Sequence, residues 1–424
     1  MTINHMLWAA CAALILAPLP ATGQTAPARL DSATRGEVID SVAAALERTY
    51  VEADTGRLIG ETLRRRLAVG AYDGLDNPAQ FAEAATRDLR SLNGDLHLSL
   101  RYSPDAGGPS LQGPGNPAAR NFGMGRAEIL DGNVGYVEIT GFMGAPGYRD
   151  AVVDALRFLS RTDAMIIDVR RNGGGSGEMS HFVFSHFLGA EPVPTIRVKR
   201  RAGEPVVRQS FAEVPGPRRT DVPLYVLTSQ GTGSAAEEFS FVLKNHRRAT
   251  IVGSRTAGAG HMVTRVPVGR GFAVSISITR VMDPVTGREW EGTGVIPDLA
   301  VDPAAALGAA HEAALVRLRA TAPAQDQPAL DRLIETVRAA RGAVAGDASL
   351  ARWSGVYEGR VITASDGRLL YARREGALPE PLVALGGGRF GLGALRFGFE
   401  AAGKGARLTI EQPDGTLVTL ERSP

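Results

Sequence analysis

Apolar and polar residues follow different periods along this chain, and the changes of period divide it. Behind Thr34 and Glu37, which form a capping-box pair, Val38, Val42, Leu46 and Tyr50 recur at helical spacing. Asn77-Pro78 opens a second helical stretch carrying Phe81, Ala85 and Leu89. The pattern predicts a small helical bundle up to about Leu92, followed by a Gly- and Pro-rich loop over Ser103 to Pro117. From Val134 to Val301 short buried-strand runs alternate with helical stretches, among them Ala164 to Val169, Leu224 to Thr228 and Phe272 to Ile278. Ala304 to Ala320 and Ala329 to Ala340 read as surface helices about a hinge at Thr321 to Pro328. Beyond Trp353 the chain turns to short strands punctuated by Asp366-Gly367 and Asp414-Gly415, which predicts a small antiparallel barrel or sandwich.

Two strand-to-helix junctions carry chemistry. In PLYVLTSQGTGSAAEEFSFVLKN, Ser234 stands where a buried strand hands over, through a glycine turn, to a helix with Ala235, Phe239, Val242 and Leu243 on one face. Backbone N–H groups at a helix start lack internal partners and stabilise an oxyanion formed there, but serine is also simply a favoured N-cap. In AMIIDVRRNGGGSGEMSHFVFSHFL the strand feeds Asn172, Gly173, Gly174 and Gly175. Three glycines allow positive φ and close approach of a ligand to bare amides, or mark a tight connection with no ligand. The loop matches neither GxxxxGK[ST] nor GxGxxG, which weakens a nucleotide reading.

Four ordered segments together resemble the S41 peptidase family, the C-terminal processing and tricorn-type serine proteases and the related interphotoreceptor retinoid-binding modules. They are D-x-R-x-N-G-G-G at Asp168 to Gly175, T-x-x-x-x-G-S-A-A-E-E-F at Thr228 to Phe239, A-T-I-V-G-x-x-T-A-G at Ala249 to Gly258, and G-x-G-V-x-P-D at Gly292 to Asp298. The resemblance spans roughly Thr34 to Asp302 and implies an α/β crotonase-like core. It places the family nucleophile on Ser234. The lysine base of the processing branch falls on Ala259, so a Ser/Lys enzyme is excluded. The histidine of the tricorn branch falls on His97 and its glutamate on Glu291, although Leu96 stands where that branch has a serine.

Chemistry asks for the same residue types: a serine hydroxyl needs a base of suitable pKa, and a carboxylate fixes that base's tautomer. His97, His181, His186, His246, His261 and His311 are the candidates. His181 and His186 lie in an apolar helix, His246 at a basic helix end and His311 in a predicted surface helix, which leaves His97 first and His261, near the lost lysine position, as the alternative base. The expected oxyanion donors are the amides of Ala235 and of Gly173 or Gly174. Asp168 and Arg170 are expected to form an ion pair, and Glu237 and Glu238 to serve the helix dipole.

Other classes recede. No GxSxG elbow surrounds Ser234 and no HExxH occurs, so neither an α/β-hydrolase nor a catalytic metal is expected, and no cofactor either. Lys and Arg number 47 against 45 Asp and Glu, and the basic residues are scattered, so no nucleic-acid partner is expected. Leu7 to Leu19 is too short for a stable membrane span and precedes the small residues Ala21-Thr22-Gly23, as an export signal does. The one cysteine, Cys11, lies in that run, so a mature periplasmic or extracellular form would hold no disulfide.

The expected organisation is a signal peptide over residues 1–23, an N-terminal helical domain and linker over 24–120, an S41-like catalytic core over 121–303, a helical linker over 304–346 and a small β-barrel-like domain over 347–424. Too few residues separate His97 from Tyr136 for a PDZ module. The resemblance implies an exported serine peptidase acting on peptides or proteins through Ser234, His97 and Glu291. The alternative is a non-catalytic binding module for an apolar small molecule or peptide.

Overall fold

A computed structural model describes residues 29–103, 116–342, 347–402 and 405–423. The export-signal segment and the middle of the Ser103 to Pro117 loop lie outside the described residues. The first helix, α1 (Ser32–Thr49), begins earlier than the Thr34 capping box predicts, because Asp31 takes the N-cap and accepts the Thr34 N–H at 2.7 Å. It packs on α2 (Ala53–Ala68), while Asn77 caps α3 (Pro78–Arg90) as its sequence predicts. The chain then enters the short strand β1 (Ser99–Tyr102), and after a 3-10 turn at Pro117–Gly123 comes a hairpin of β2 (Met124–Leu130) and β3 (Val134–Ile139).

From there helices and strands alternate: α4 (Tyr148–Phe158), β4 (Ala164–Asp168) and α5 (Gly177–Ser185), then the pair β5 (Pro194–Arg200) and β6 (Val206–Gln209). Next come β7 (Leu224–Thr228), α6 (Ala235–Asn245) and β8 (Thr250–Gly253), and a long hairpin of β9 (Met262–Gly269) and β10 (Phe272–Met282). The last of these runs four residues past the predicted Ile278, because Thr279 to Met282 pair with Arg197 to Arg200 of β5. The short β11 (Leu299–Ala300) and the helices α7 (Ala306–Thr321) and α8 (Gln327–Gly342) follow.

These strands form two sheets. One has the order β11-β8-β7-β4-β3-β2, parallel except for the β2–β3 hairpin. Its inner strands β3, β4, β7 and β8 are buried on both faces along nearly their whole length, as parallel sheets require, while the edge strands β2 and β11 are largely exposed. Val137, Ile139, Ile167, Val226 and Ile251 face α4, α5 and α6, whereas Val134, Tyr136, Ala164 and Ile166 face α7. Helix α7 presents Ala306, Ala309, Ala310 and Ala314 to that sheet, fully buried, so it covers the sheet closely rather than standing on the surface. His311, expected on the surface, is accordingly 9% exposed and contacts the Asp131 carbonyl through Nε2 at 2.8 Å.

The second sheet is antiparallel, β1-β10-β5-β6 with β9 also paired to β10. Its apolar face, Leu100, Val268, Phe272, Val274 and Ile276, packs against α1, α2 and α3, so the N-terminal helices share a core with strands from much later in the chain. After α8 come two antiparallel sheets of four and five strands within Gly355–Glu421, around Tyr357, Ile362, Leu369, Phe397 and Leu408. The fold is mixed α/β.

Phe239 lies at the centre of the first core, fully buried and 5.7 Å from Phe142 between ring centroids. Phe239→Ala is expected to lose about 3–5 kcal/mol of stability, read as a lower denaturant midpoint with an unchanged slope.

Candidate active site

Ser234 sits at the junction of β7 and α6 in a conformation that an ordinary N-cap does not need. Caps adopt extended backbone; Ser234 has φ 50° and ψ −119°. A non-glycine residue held there costs about 1–3 kcal/mol unless its surroundings over-determine it. Glu237 supplies that constraint. Fully buried, its carboxylate accepts the Ser234 N–H at 2.9 Å, the Thr256 hydroxyl at 2.5 Å, and the N–H groups of Gly258 at 2.6 Å and Ala259 at 2.8 Å. The dipole alone, which the sequence suggests for Glu237, therefore understates its part: it ties the start of α6 to the glycine-rich loop ahead of β9.

The Asn172 to Gly175 loop closes on the other side of Ser234. Gly174 has φ 108°, and a Cβ there would stand 2.8 Å from the Ser234 Cβ and 3.0 Å from the Ala235 nitrogen, so only glycine fits. Its N–H donates to Asn172 Oδ1 at 2.9 Å and is thereby engaged. Gly173 has open space where a side chain would be. Behind the loop, Asp168 pairs with Arg170, Nη2 to Oδ2 at 2.6 Å, and accepts the Tyr136 hydroxyl at 2.8 Å.

The second sheet contributes the titratable groups. His97 leads into β1, its approach fixed by Arg90, which donates to the carbonyls of Leu96 and Leu98 at 2.8 Å. His261 leads into β9, and Glu291 follows β10, where its Oε2 accepts the N–H groups of Gly260 at 2.6 Å and His261 at 3.0 Å. A residue the sequence reading treats only as part of a turn, Asp95, joins them. Asp95 is 1% exposed, accepts the Tyr50 hydroxyl at 2.9 Å and the His97 N–H at 2.9 Å, and lies 3.3 Å from His261 Nδ1. The imidazoles lie with ring centroids 6.2 Å apart. His97 Nδ1 is 3.7 Å from Glu291 Oε2 and 3.8 Å from Asp95 Oδ1.

The two histidines are tuned in opposite directions. Burial holds His97 below its ordinary 6.5 against the charge of Asp95, and the charges of His261 and Arg90 add to the lowering. Burial also pulls on His261, but the hydrogen bond to Asp95 and the charges of Glu291 and Asp95 outweigh it and raise the group. Asp95 itself, despite burial, is brought down to about 2 by its hydrogen bonds and the His261 charge. Burial raises Glu291. Both ring nitrogens of His97 and Oε1 of Glu291 are sealed from solvent without a hydrogen-bond partner. Buried polar atoms left so are costly.

A cavity of about 270 Å³ opens onto this region, lined by Ser234, Ala235, Glu238, Gly260, His261 and Trp290 among others. His261 thus lines the same cavity as Ser234, and His97 is not among its lining residues. The remaining histidines are elsewhere: His181 Nε2 contacts the Gln209 carbonyl at 2.6 Å, His186 Nδ1 that of Pro217 at 3.0 Å, and His246 Nε2 that of Pro194 at 3.0 Å. One donor atom from each of Asp95, His97, His261 and Glu291 lies within 4.8 Å of the others, a spacing that suits either a shared proton network or one divalent ion. Local spacing in the sequence could not suggest this group, since Asp95 and His261 are 166 residues apart.

Comparison with known proteins bears on the same segments. The chain is 28% identical over 178 residues to a carboxy-terminal-processing protease of Bartonella bacilliformis, covering 41% of this chain and 40% of that protein. It is 26% identical over 290 residues to the carboxy-terminal processing protease CtpB of Bacillus subtilis, covering 59% of each. The chain thus spans about 40–59% of the length of these curated relatives. Among solved structures, the photosystem II D1 C-terminal processing protease matches with TM-score 0.43 and 18% identity over 64% of this chain and 94% of that one. The tricorn protease matches with TM-score 0.41 and 14% identity over 72% of this chain and 37% of that one. Residues 133–301, which hold Ser234, His261 and Glu291, match the model of peptidase family S41.

Proposed function

We propose that the protein is a serine peptidase that hydrolyses peptide bonds through an acyl-enzyme formed on Ser234. The observation that carries the reading is the strained backbone of Ser234 beside the glycine loop, held by Glu237. Its place between a strand end and a helix start is what an exposed nucleophile needs. The helix-flanked, mostly parallel sheet beneath it agrees with the crotonase-type core that the family resemblance implies.

In this reading Ser234 Oγ attacks the carbonyl carbon as His97 takes its proton. The oxyanion is met by the amides of Ala235 and Gly173, the latter because Gly174 already donates to Asn172. Collapse expels the amine, which leaves with the proton from the imidazole, and water repeats the sequence to release the acid. His97 is favoured as the base because it is held toward its neutral, proton-accepting form and its nitrogens are otherwise unpaired. Glu291 and Asp95, both near Nδ1, would stabilise the imidazolium. His261 is the second reading, supported by its place in the cavity of Ser234 and its hydrogen bond to Asp95. Export belongs to the same proposal and rests on Leu7 to Leu19 and the small residues that follow.

A fluorophosphonate probe is expected to label the wild type and not Ser234→Ala, with His97→Ala slowing labelling by about 10²–10⁴-fold. Absence of labelling in the wild type would favour a binding protein. Labelling is expected to persist after prolonged treatment with a metal chelator, and its loss there would point to an ion among the four donors. Because the base acts only when neutral, labelling should rise with pH as the base loses its proton. A midpoint below 6.5 identifies His97 and one above 6.5 identifies His261, given their opposite displacement from that value.

A further inference from the structure

Glu238 is the buried titratable group that the peptidase chemistry leaves without a task. It follows the N-cap Ser234 by four residues, so the two lie on one side of the start of α6 about one turn apart, about 6 Å along the axis. Both line the same cavity. Glu238 is 4% exposed, and its Oε1 is sealed from solvent with no hydrogen-bond partner. Its neighbour Glu237 collects four donors, so the lack of a counterpart sets Glu238 apart from the acid next to it. Burial pushes its carboxyl up to about 7, opposed by the charge of Arg208. Met262, Val263, Val281 and Trp290 give the cavity apolar walls, and at Gly177, where a Cβ would come within 3.6 Å of Glu238 Oε2, the absent side chain leaves room beside the carboxylate.

A carboxylate at the end of an apolar slot, with Arg208 acting on it by charge and no cation in hydrogen-bond contact with it among the described residues, is complementary to a side chain with an apolar stem and a positive tip. We propose that this cavity receives the residue on the acyl side of the scissile bond, and that Glu238 selects lysine or arginine there. The inference rests on the peptidase reading for its catalytic meaning. The stem lies along Met262, Val281 and the Trp290 ring, and the cation meets Glu238 one helical turn from Ser234. A lysine stem reaches on the order of 6 Å from its Cα, which matches that depth.

The test is a set of peptides differing only at that residue. The wild type is expected to cleave after Lys and Arg about 30-fold or more faster, in kcat/KM, than after Leu or Gln, the ratio a lost buried charge pair implies. In Glu238→Gln this ratio is expected to collapse toward one, and in Glu238→Ile to invert in favour of Leu. A wild type that prefers Leu or Ala, or a basic preference that survives Glu238→Gln, overturns the proposal while leaving a probe-reactive peptidase intact. A second arm needs no turnover: calorimetric binding of tetrapeptides ending in Lys or Leu to Ser234→Ala. Tighter binding of the Lys peptide, lost when Glu238→Gln is added, supports the pocket even if the wild type proves unreactive to the probe. Equal binding of the two peptides overturns it.

Discussion

The site depends on one buried carboxylate. Glu237 is wholly withdrawn from water, which would be prohibitive for an isolated charge, and four donors offset that cost. Hydrogen bonds to a charged group contribute about 1.5–3 kcal/mol each, enough together to hold Ser234 in backbone space that serine otherwise avoids. The same carboxylate grips Gly258 and Ala259, and Glu291 grips the next two residues, Gly260 and His261. Two acids therefore clamp consecutive stretches of one loop, one from the helix side and one from the antiparallel sheet.

That clamp joins two pieces of architecture with separate tasks. The parallel sheet delivers Ser234 and the glycine loop from strand ends, where backbone amides converge. The antiparallel sheet delivers His97, His261 and Glu291 from the lead-ins and exits of β1, β9 and β10. Neither sheet alone holds both Ser234 and the two imidazoles. Burial on one side and the Asp95 and Glu291 carboxylates on the other displace two imidazoles in opposite directions from their ordinary pKa with ring centroids 6.2 Å apart, so environment rather than residue type distinguishes them.

What the sequence revealed follows from how local each signal is. The Ser234 helix, the α3 cap at Asn77 and the Asp168–Arg170 pair depend on neighbours a few residues away, and all were readable. Asp95 was not: Asn93-Gly94-Asp95 explains itself as a turn, and nothing nearby announces that its carboxylate meets Tyr50 and His261. Glu237 was hidden by a sufficient local reason, since an acid in a first helical turn needs no further explanation. The buried side of α7 was misread because its contact face is alanine, which carries little apolar contrast. The true start of α1 was missed because Asp31 lies just ahead of an equally plausible Thr34 cap.

The placement of β1 has a consequence for modularity. The stretch that matches the S41 family begins at residue 133, yet Asp95 and His97 lie upstream of it and reach the site only because β1 pairs with β10. Recombination that transplanted the matching segment by itself would carry Ser234, His261 and Glu291 without Asp95 and His97, so the four-residue group stays whole only within the longer stretch that begins with the N-terminal helices.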